Sequence, residues 1–150
     1  MDPEDLFGVD IGAIRARIKT LAYFTDVQDI QGASEATGGM VAFIPPAAFV
    51  SIARESYAPN RYASGGHAQL ANVVISVLFC VPAVRADRDA GDEVEQARKA
   101  ILAVLKGWSP PGADKALEAV DYRVRVIEGG LVWSEWQFRT SFDNRVVAAP

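Results

Sequence analysis

The sequence predicts an α+β domain in which a mostly antiparallel, twisted sheet carries two main helices on one face and ends in a long C-terminal hairpin. Three observations support this prediction: a helical period near the N-terminus, one long apolar strand in the middle, and two alternating segments around Gly129-Gly130. The order of helix, strands, helix and hairpin is typical of α+β folds. No repeat or boundary divides the chain, so residues 1–150 are predicted to form a single domain.

The first helix is predicted over residues 11–22. Apolar side chains recur there at steps of three and four residues, at Ile11, Ile14, Ile18 and Leu21. Asp10 precedes them as a good N-cap, because its carboxylate can accept a backbone N–H of the first turn. The basic side chains of this segment fall mainly away from the apolar stripe, and we interpret them as a solvated face rather than a nucleic-acid contact; they are Arg15, Arg17 and Lys19.

Short strands are predicted next. Residues 23–30 favour a short strand, residues 31–39 a small polar loop and residues 40–44 a second apolar strand. Pro45 and Pro46 interrupt this strand because proline has no N–H to donate. Residues 47–50 then resume as an edge strand, with a short helix from Pro46 as the alternative.

Residues 52–67 have no clean period and predict a long loop. Loops of this length in compact domains are often functional or disordered. The segment carries arginine and tyrosine, which are enriched where proteins meet partners. Its candidate interface residues are Arg54, Tyr57, Arg61 and Tyr62. A surface loop without a partner is the alternative interpretation.

Residues 70–84 predict the central strand. One face is wholly apolar, formed by Ala71, Val73, Ile75, Val77, Phe79 and Val81. The other face is mixed, which indicates a strand that is buried on one side and half-covered on the other. Cys80 lies inside this strand, so we expect an inert buried thiol rather than a nucleophile.

The second helix is predicted over residues 92–106. Its apolar stripe is Val94, Ala97, Ile101, Val104, Leu105 and Trp108. Carboxylates, among them Asp87, Asp89 and Asp92, crowd its start and complement the helix dipole, which explains them better than a cation site does. Gly107 suits a left-handed C-cap, and Pro110-Pro111 prevents continuation. Residues 113–120 are expected to add one or two helical turns.

The hairpin is predicted to pair residues 122–127 with residues 131–142. A two-residue turn at Gly129-Gly130 would pair Glu128 with Leu131, whereas a three-residue loop over 128–130 gathers the apolar side chains on one face. We favour the three-residue loop, which places Tyr122, Val124, Val126, Val132, Trp136, Phe138 and Phe142 together. The other face then carries Arg123, Arg125, Trp133 and Arg139. Such a face can stack the bases of a single-stranded nucleic acid, or line a subunit interface, which the negative net charge favours.

Composition excludes several classes of function. The chain of 150 residues has a net charge of -4, which argues against a protein whose main function is to bind the phosphate backbone of nucleic acids. One cysteine and one histidine, His67, rule out an internal disulfide and Cys- or His-rich metal sites. No apolar run is long enough to span a membrane, and the acidic N-terminus is unlike a signal peptide, which predicts a soluble intracellular protein. A phosphate-binding loop and a Gly-x-Ser-x-Gly elbow are both missing, so the residues carry only weak signals for catalysis and we predict no metal site, with a general base at His67 as the weak alternative.

Several short motifs follow one another along the chain. Residues 44–50, Ile-Pro-Pro-Ala-Ala-Phe-Val, are followed by a polar loop that ends near Gln69, a long apolar strand and an acidic turn at 87–92. Residues 105–110, Leu-Lys-Gly-Trp-Ser-Pro, then end a helix, and the last strand carries Trp136, Phe138 and Thr140. In this order and spacing the motifs resemble those of the tail terminator proteins of tailed bacteriophages and phage-like prophages, and the resemblance covers roughly residues 11–142.

This resemblance implies a structural role, so that the chain is expected to be no enzyme and to bind no cofactor. Tail terminators assemble as a ring, usually of six subunits, on the head-proximal end of the tail tube. The ring stops tube polymerisation and offers a surface to the head-completion or connector protein, while DNA passes through the lumen without being read. The implied partners are therefore further copies of the chain, the tail tube protein and the head-completion protein, with no membrane. The implied location is the virion, after assembly in the host cytoplasm.

Overall fold

The computed structural model describes residues 8–29, 43–62, 66–82 and 88–147, without the side chains of residues 88–90, 128 and 144–147. The described elements are α1 (Ile11–Lys19), β1 (Asp26–Gln28), β2 (Ala47–Tyr57), β3 (Gly66–Pro82), α2 (Arg88–Leu105), β4 (Glu118–Glu128) and β5 (Leu131–Val147). The strands form one sheet in the order β1-β2-β3-β5-β4, antiparallel except between β1 and β2. The predicted α+β class, with two helices and a long C-terminal hairpin, is confirmed.

Both helices pack on the same face of the sheet. The face of β3 that was predicted to be apolar is fully buried beneath them, and the strand is central as expected. The buried core contains Ile14 and Ile18 from α1, Ala97, Ile101 and Leu105 from α2, and Trp136, Phe138 and Phe142 from β5. Burial of this main core therefore fixes where the helices lie on the sheet.

Polar contacts hold the helices to their neighbours. The Asp10 carboxylate accepts the Ala13 N–H at 3.0 Å, which confirms the predicted N-cap. Arg17 is not the solvated cation that the sequence suggested, because its guanidinium lies 4.6 Å from the centre of the Trp108 ring and donates to the Val104 carbonyl. Cationic side chains over indole rings are attracted by the ring quadrupole. Arg17 therefore joins α1 to the end of α2.

Several predicted bounds along the chain are wrong. The strand expected over residues 23–30 covers only Asp26–Gln28, and α1 ends at Lys19. The loop at 31–39 and residues 40–42 of the next predicted strand lie outside the described residues, while residues 43–44 are irregular. Residues 47–50 do form a strand, but β1 and β3 flank it along residues 47–49, so this part of the strand is not at an edge.

No helix forms at residues 113–120. Gly107 ends α2 with φ 83°, as the sequence predicted, and its N–H donates to the Leu117 carbonyl at 2.9 Å. The Leu117 N–H in turn donates to Trp108, and the Leu117 side chain is buried. These two hydrogen bonds therefore hold the segment against the end of α2, and the chain continues directly into β4.

The long loop predicted over residues 52–67 is largely strand. β2 continues to Tyr57 and β3 begins at Gly66. The register shifts between Ile52 and Arg54, so a bulge at Ala53 breaks the period of two that a regular strand would show. That bulge is the physical reason why the sequence pattern looked like a loop.

The hairpin turn has two residues instead of the three that we predicted. Glu128 lies opposite Leu131, and Gly129 and Gly130 have φ values of 60° and 72°, as this kind of turn requires. A bulge at Arg125 then shifts the register by one residue, so Tyr122 still lies opposite Trp136. The extra residue that we placed in the turn is therefore inside β4.

We predict that Gly112→Ala destabilises the fold more than Gly107→Ala. Both glycines have φ near 85°, so alanine at either position costs about 1–2 kcal/mol in the left-handed region. Around Gly107 a new Cβ would meet open space, whereas at Gly112 it would lie 2.0 Å from the Gly8 carbonyl oxygen. The collision adds about 1–3 kcal/mol and loosens α1. Urea denaturation of both variants measures the difference, and equal losses would contradict this packing.

Candidate assembly surface

The sheet face opposite the helices, called here the open face, carries no helix of the described structure. At its hairpin end lies a second apolar cluster, formed by Ala47, Phe49, Cys80 and Trp133 with Phe43, Leu78 and Leu131 packed against it. The Trp133 ring is stacked on Phe49 with centroids 5.9 Å apart. Trp133 is only 7% exposed, so it supports the open face from within instead of projecting as an anchor or a base-stacking platform.

The three hairpin arginines lie on the open face, and each meets a carboxylate of its own chain. The pairs are Arg123 with Asp121 at 2.6 Å, Arg125 with Glu135 at 3.7 Å, and Arg139 with Glu118 at 2.9 Å. The hydrogen bond from Arg123 to Asp121 raises the pKa of the guanidinium. The pairs of Arg123 and Arg139 are exposed on both sides and contribute little to stability, whereas the partner of Arg125 is buried.

Glu135 is a buried carboxylate in the middle of the open face. It is 9% exposed and accepts a hydrogen bond of 2.6 Å from the Ser76 hydroxyl. Arg125 supplies the nearby positive charge. A buried carboxylate with a hydroxyl donor and a cation is satisfied within the chain, so Glu135 fixes β5 against β3 and holds Arg125 in place.

Arg54 belongs to the same open face as the hairpin arginines. It pairs across the sheet with Val74, which in turn pairs with Arg139. Within the described parts of the chain, no carboxylate forms an ion pair with Arg54. Of the candidates in the 52–67 segment, Arg54 therefore shares one surface with the hairpin arginines.

The other candidates of the 52–67 segment have different surroundings. Tyr57 lies on the helix side, with its ring 6.4 Å from that of Phe142 and its hydroxyl donating to Glu55. The connection after β2 is tied to β3 by hydrogen bonds from Ala58 and Arg61 to its backbone, and Arg61 also forms an ion pair with Asp143. The described part of this connection is therefore held in place, and Tyr62 within it is 45% exposed.

The structure also shows an apolar surface that the sequence analysis missed. Val120, Val124, Val126 and Ile127 are 44–71% exposed along β4, although Val124 and Val126 were predicted to lie on a buried face. The bulge at Arg125 places Val126 opposite Trp133, on the open face. Since β4 is the last strand of the sheet, no neighbour covers it in the described structure. No pattern in the sequence identifies the position of the bulge.

Groups for chemistry are sparse. His67 is exposed on β3, and none of the described residues forms a hydrogen bond or ion pair with its side chain. The described His, Cys, Asp and Glu residues form no group of three that could hold a metal ion. Asp87 and the side chain of Asp89 lie outside the described residues. No described helix is both long and apolar enough to cross a membrane.

The chain is similar to known proteins in its sequence and in its fold. A sequence model described as "Phage tail terminator protein" matches residues 9–148. No curated protein matches the chain significantly. Among solved structures, a chain of the "Virion of native gene transfer agent (GTA) particle" has a similar fold, with a TM-score of 0.52 and 17% identity, covering 91% of this chain and 96% of that one.

We predict that Cys80 reacts slowly with thiol reagents until the protein unfolds. Burial raises the pKa of the thiol from 9.0 to about 11, which lowers the thiolate fraction about 100-fold at pH 8. The side chain is also fully buried. Labelling by an aromatic disulfide reagent, followed by absorbance with and without denaturant, measures the difference. Equal rates in the native and unfolded protein would contradict the buried position.

Proposed function

The chain belongs to the phage tail terminator family, and from this premise we propose that it is a structural virion protein that forms a ring on the head-proximal end of the tail tube. The ring stops polymerisation of the tube and presents the surface to which the head-completion or connector protein attaches. The observation that carries the proposal is the match of nearly the whole chain to the family, over residues 9–148.

The fold comparison supports a place in the virion. The similar chain comes from a gene transfer agent virion, and the likeness spans nearly the whole of both chains. A fold that occurs in a particle of that kind is suited to act as a particle component. We therefore propose that the protein is assembled in the host cytoplasm and remains at the head-proximal end of the finished tail.

Its own copies are the first partners that we propose. A ring needs two different surfaces on each subunit that fit each other, because every contact in it is heterologous. The open face with its arginine–carboxylate pairs and the apolar side chains of β4 supply surfaces of different chemistry on one subunit. Six subunits is the stoichiometry that we propose, with the tail tube protein on one side of the ring and the head-completion protein on the other.

DNA passes through such a ring without sequence-specific binding. Each cationic contact to a phosphate would add affinity and hold the DNA in the lumen. The net charge of the chain is -4, and the three hairpin arginines already meet carboxylates of their own chain. The alternative function, a single-stranded nucleic-acid-binding module, depends on an exposed Trp133, and that side chain is buried.

We expect particles made without this protein to carry tails of abnormal length that are not joined to capsids. The wild-type gene supplied in trans restores normal particles, and electron microscopy measures tail length and the joined fraction. His67→Ala serves as the control and restores them as well as wild type, because no described side chain engages this exposed histidine. Particles that lack the protein yet carry joined tails of normal length would contradict the proposal.

A second prediction separates this function from the nucleic-acid alternative. We expect the purified protein to show no salt-dependent binding to single-stranded oligonucleotides, since a binder that neutralises phosphates loses affinity steeply as salt rises. Fluorescence anisotropy at low and physiological salt measures this. Tight binding at low salt that weakens when Arg123 and Arg139 are both changed to Ala would favour the alternative.

A further inference from the structure

The exposed large apolar side chains of the described structure fall into two groups, one at each lateral border of the sheet. One group lies on β4: Val120, Val124, Val126 and Ile127. The other lies on and around β2: Ile44, Ile52, Tyr57 and Tyr62. Single exposed apolar residues are normal on protein surfaces, but grouped ones mark interaction sites. Two separate groups at the two borders of one sheet indicate two contact surfaces.

Each group adjoins an open sheet edge. β4 is the outermost strand, and among the described residues nothing pairs with its outer side. β1 covers β2 only along Ala47–Phe49, which leaves the outer side of residues 50–57 without a strand partner in the described structure. Open edges expose unpaired backbone groups that favour association with another chain.

Bulges interrupt both edges. The register shifts at Val120 and Arg125 in β4 and at Ala53 in β2. A bulge limits strand-by-strand addition, which would otherwise produce open-ended aggregates. Edges with apolar side chains and a backbone interrupted by bulges therefore favour a contact with one other chain that is made largely by side chains.

The charges near the two edges are complementary. On the open face at the β2 edge, Arg54 has no ion-pair partner among the described residues. On the same face at the β4 edge stand two half-exposed carboxylates, Glu118 and Asp121, each with one arginine of its own chain. Through Val74 and Arg139, Arg54 lies level with Glu118 across the sheet. Two copies placed side by side with their strands and open faces aligned would therefore bring Arg54 of one copy towards the β4 carboxylates of the next.

Building on the proposed ring, we infer that neighbouring copies join through these two edges, with the β4 edge of one copy against the β2 edge of the next. Every subunit carries one edge of each kind, so each contact is heterologous and the same contact repeats around the ring. The occupant of each edge is a second copy of this chain. Apolar side chains supply the attraction, and Arg54 with the β4 carboxylates sets the alignment.

Cross-linking tests this contact directly. A chain carrying both Arg54→Cys and Asp121→Cys, treated with a flexible thiol-specific cross-linker, is expected to give a ladder of covalent oligomers up to the size of the ring. Each single variant gives dimers at most, because one reactive position cannot form a chain. Cys80 is buried and contributes no background. The matched control carries Lys19→Cys and Lys106→Cys on the exposed surface of the helix side and gives no ladder.

A mixing experiment tests the same contact without cross-linking. Ile127→Asp disables the β4 edge at a side chain that is 71% exposed, and Ile52→Asp disables the β2 edge at one that is 38% exposed. Each variant alone is expected to remain monomeric, and the mixture to form one-to-one dimers through its remaining intact edges, as measured by native mass spectrometry. Assembly of either variant alone to the same size as wild type would overturn the inference.

The outcomes separate this inference from the proposed function. Closed rings of wild-type protein in electron micrographs, together with no ladder from the edge cysteines, would overturn the edge contact and leave the ring intact. A ladder that forms only open chains would support the edge contact and overturn the ring. If neither rings nor ladders form, both fail, and contact of these edges with the tail tube protein becomes the explanation of their exposure.

Discussion

The architecture depends on the antiparallel pairing of β3 with β5. The two strands pair over 17 residues each, from Gly66 opposite Val147 to Pro82 opposite Leu131. At about 3.3 Å per residue this ribbon is roughly 55 Å long, about twice the length of the 18-residue α2. One face carries the core residues beneath the helices, and every other element takes its position from this ribbon. A sheet with helices on one side only leaves the other side to solvent or to partners.

That asymmetry connects the fold with a role in assembly. The main core lies on the helix side, where Phe79, Ile101 and Phe138 are fully buried. The open face instead carries Trp133 as internal support, Glu135 as a satisfied buried carboxylate, and arginines whose exposed ion pairs contribute little to stability. Neither side brings together the nucleophile, base and donors of a catalytic site within the described residues. What the chain presents is a shaped surface, as expected for a member of a structural virion family.

The sequence predicted the elements whose period is regular and failed where a bulge or a backbone fold-back breaks the period. The alternation from Ala71 to Val81 identified the central strand and its buried face, and the stripe from Ala97 to Trp108 identified α2 and its glycine cap. Because of the bulge at Ala53, the second half of β2 was not recognised as a strand in the sequence. The bulge at Arg125 places Val126 on the open face. An inserted residue flips the side chains that follow it, and nothing in the side-chain pattern marks where it lies. The candidate arginines could be identified from their residue types alone. That they share one face follows only from the strand order, and that Trp133 is buried follows only from the second apolar cluster.

The proposed role is that copies of this chain fit together around the end of a tail. Electron cryomicroscopy of purified tails tests this role. We expect one closed ring of this protein at the head-proximal end, with the same subunit contact repeated around the lumen. Tails that end in bare tube protein, or that carry this chain scattered along the tube, would contradict it.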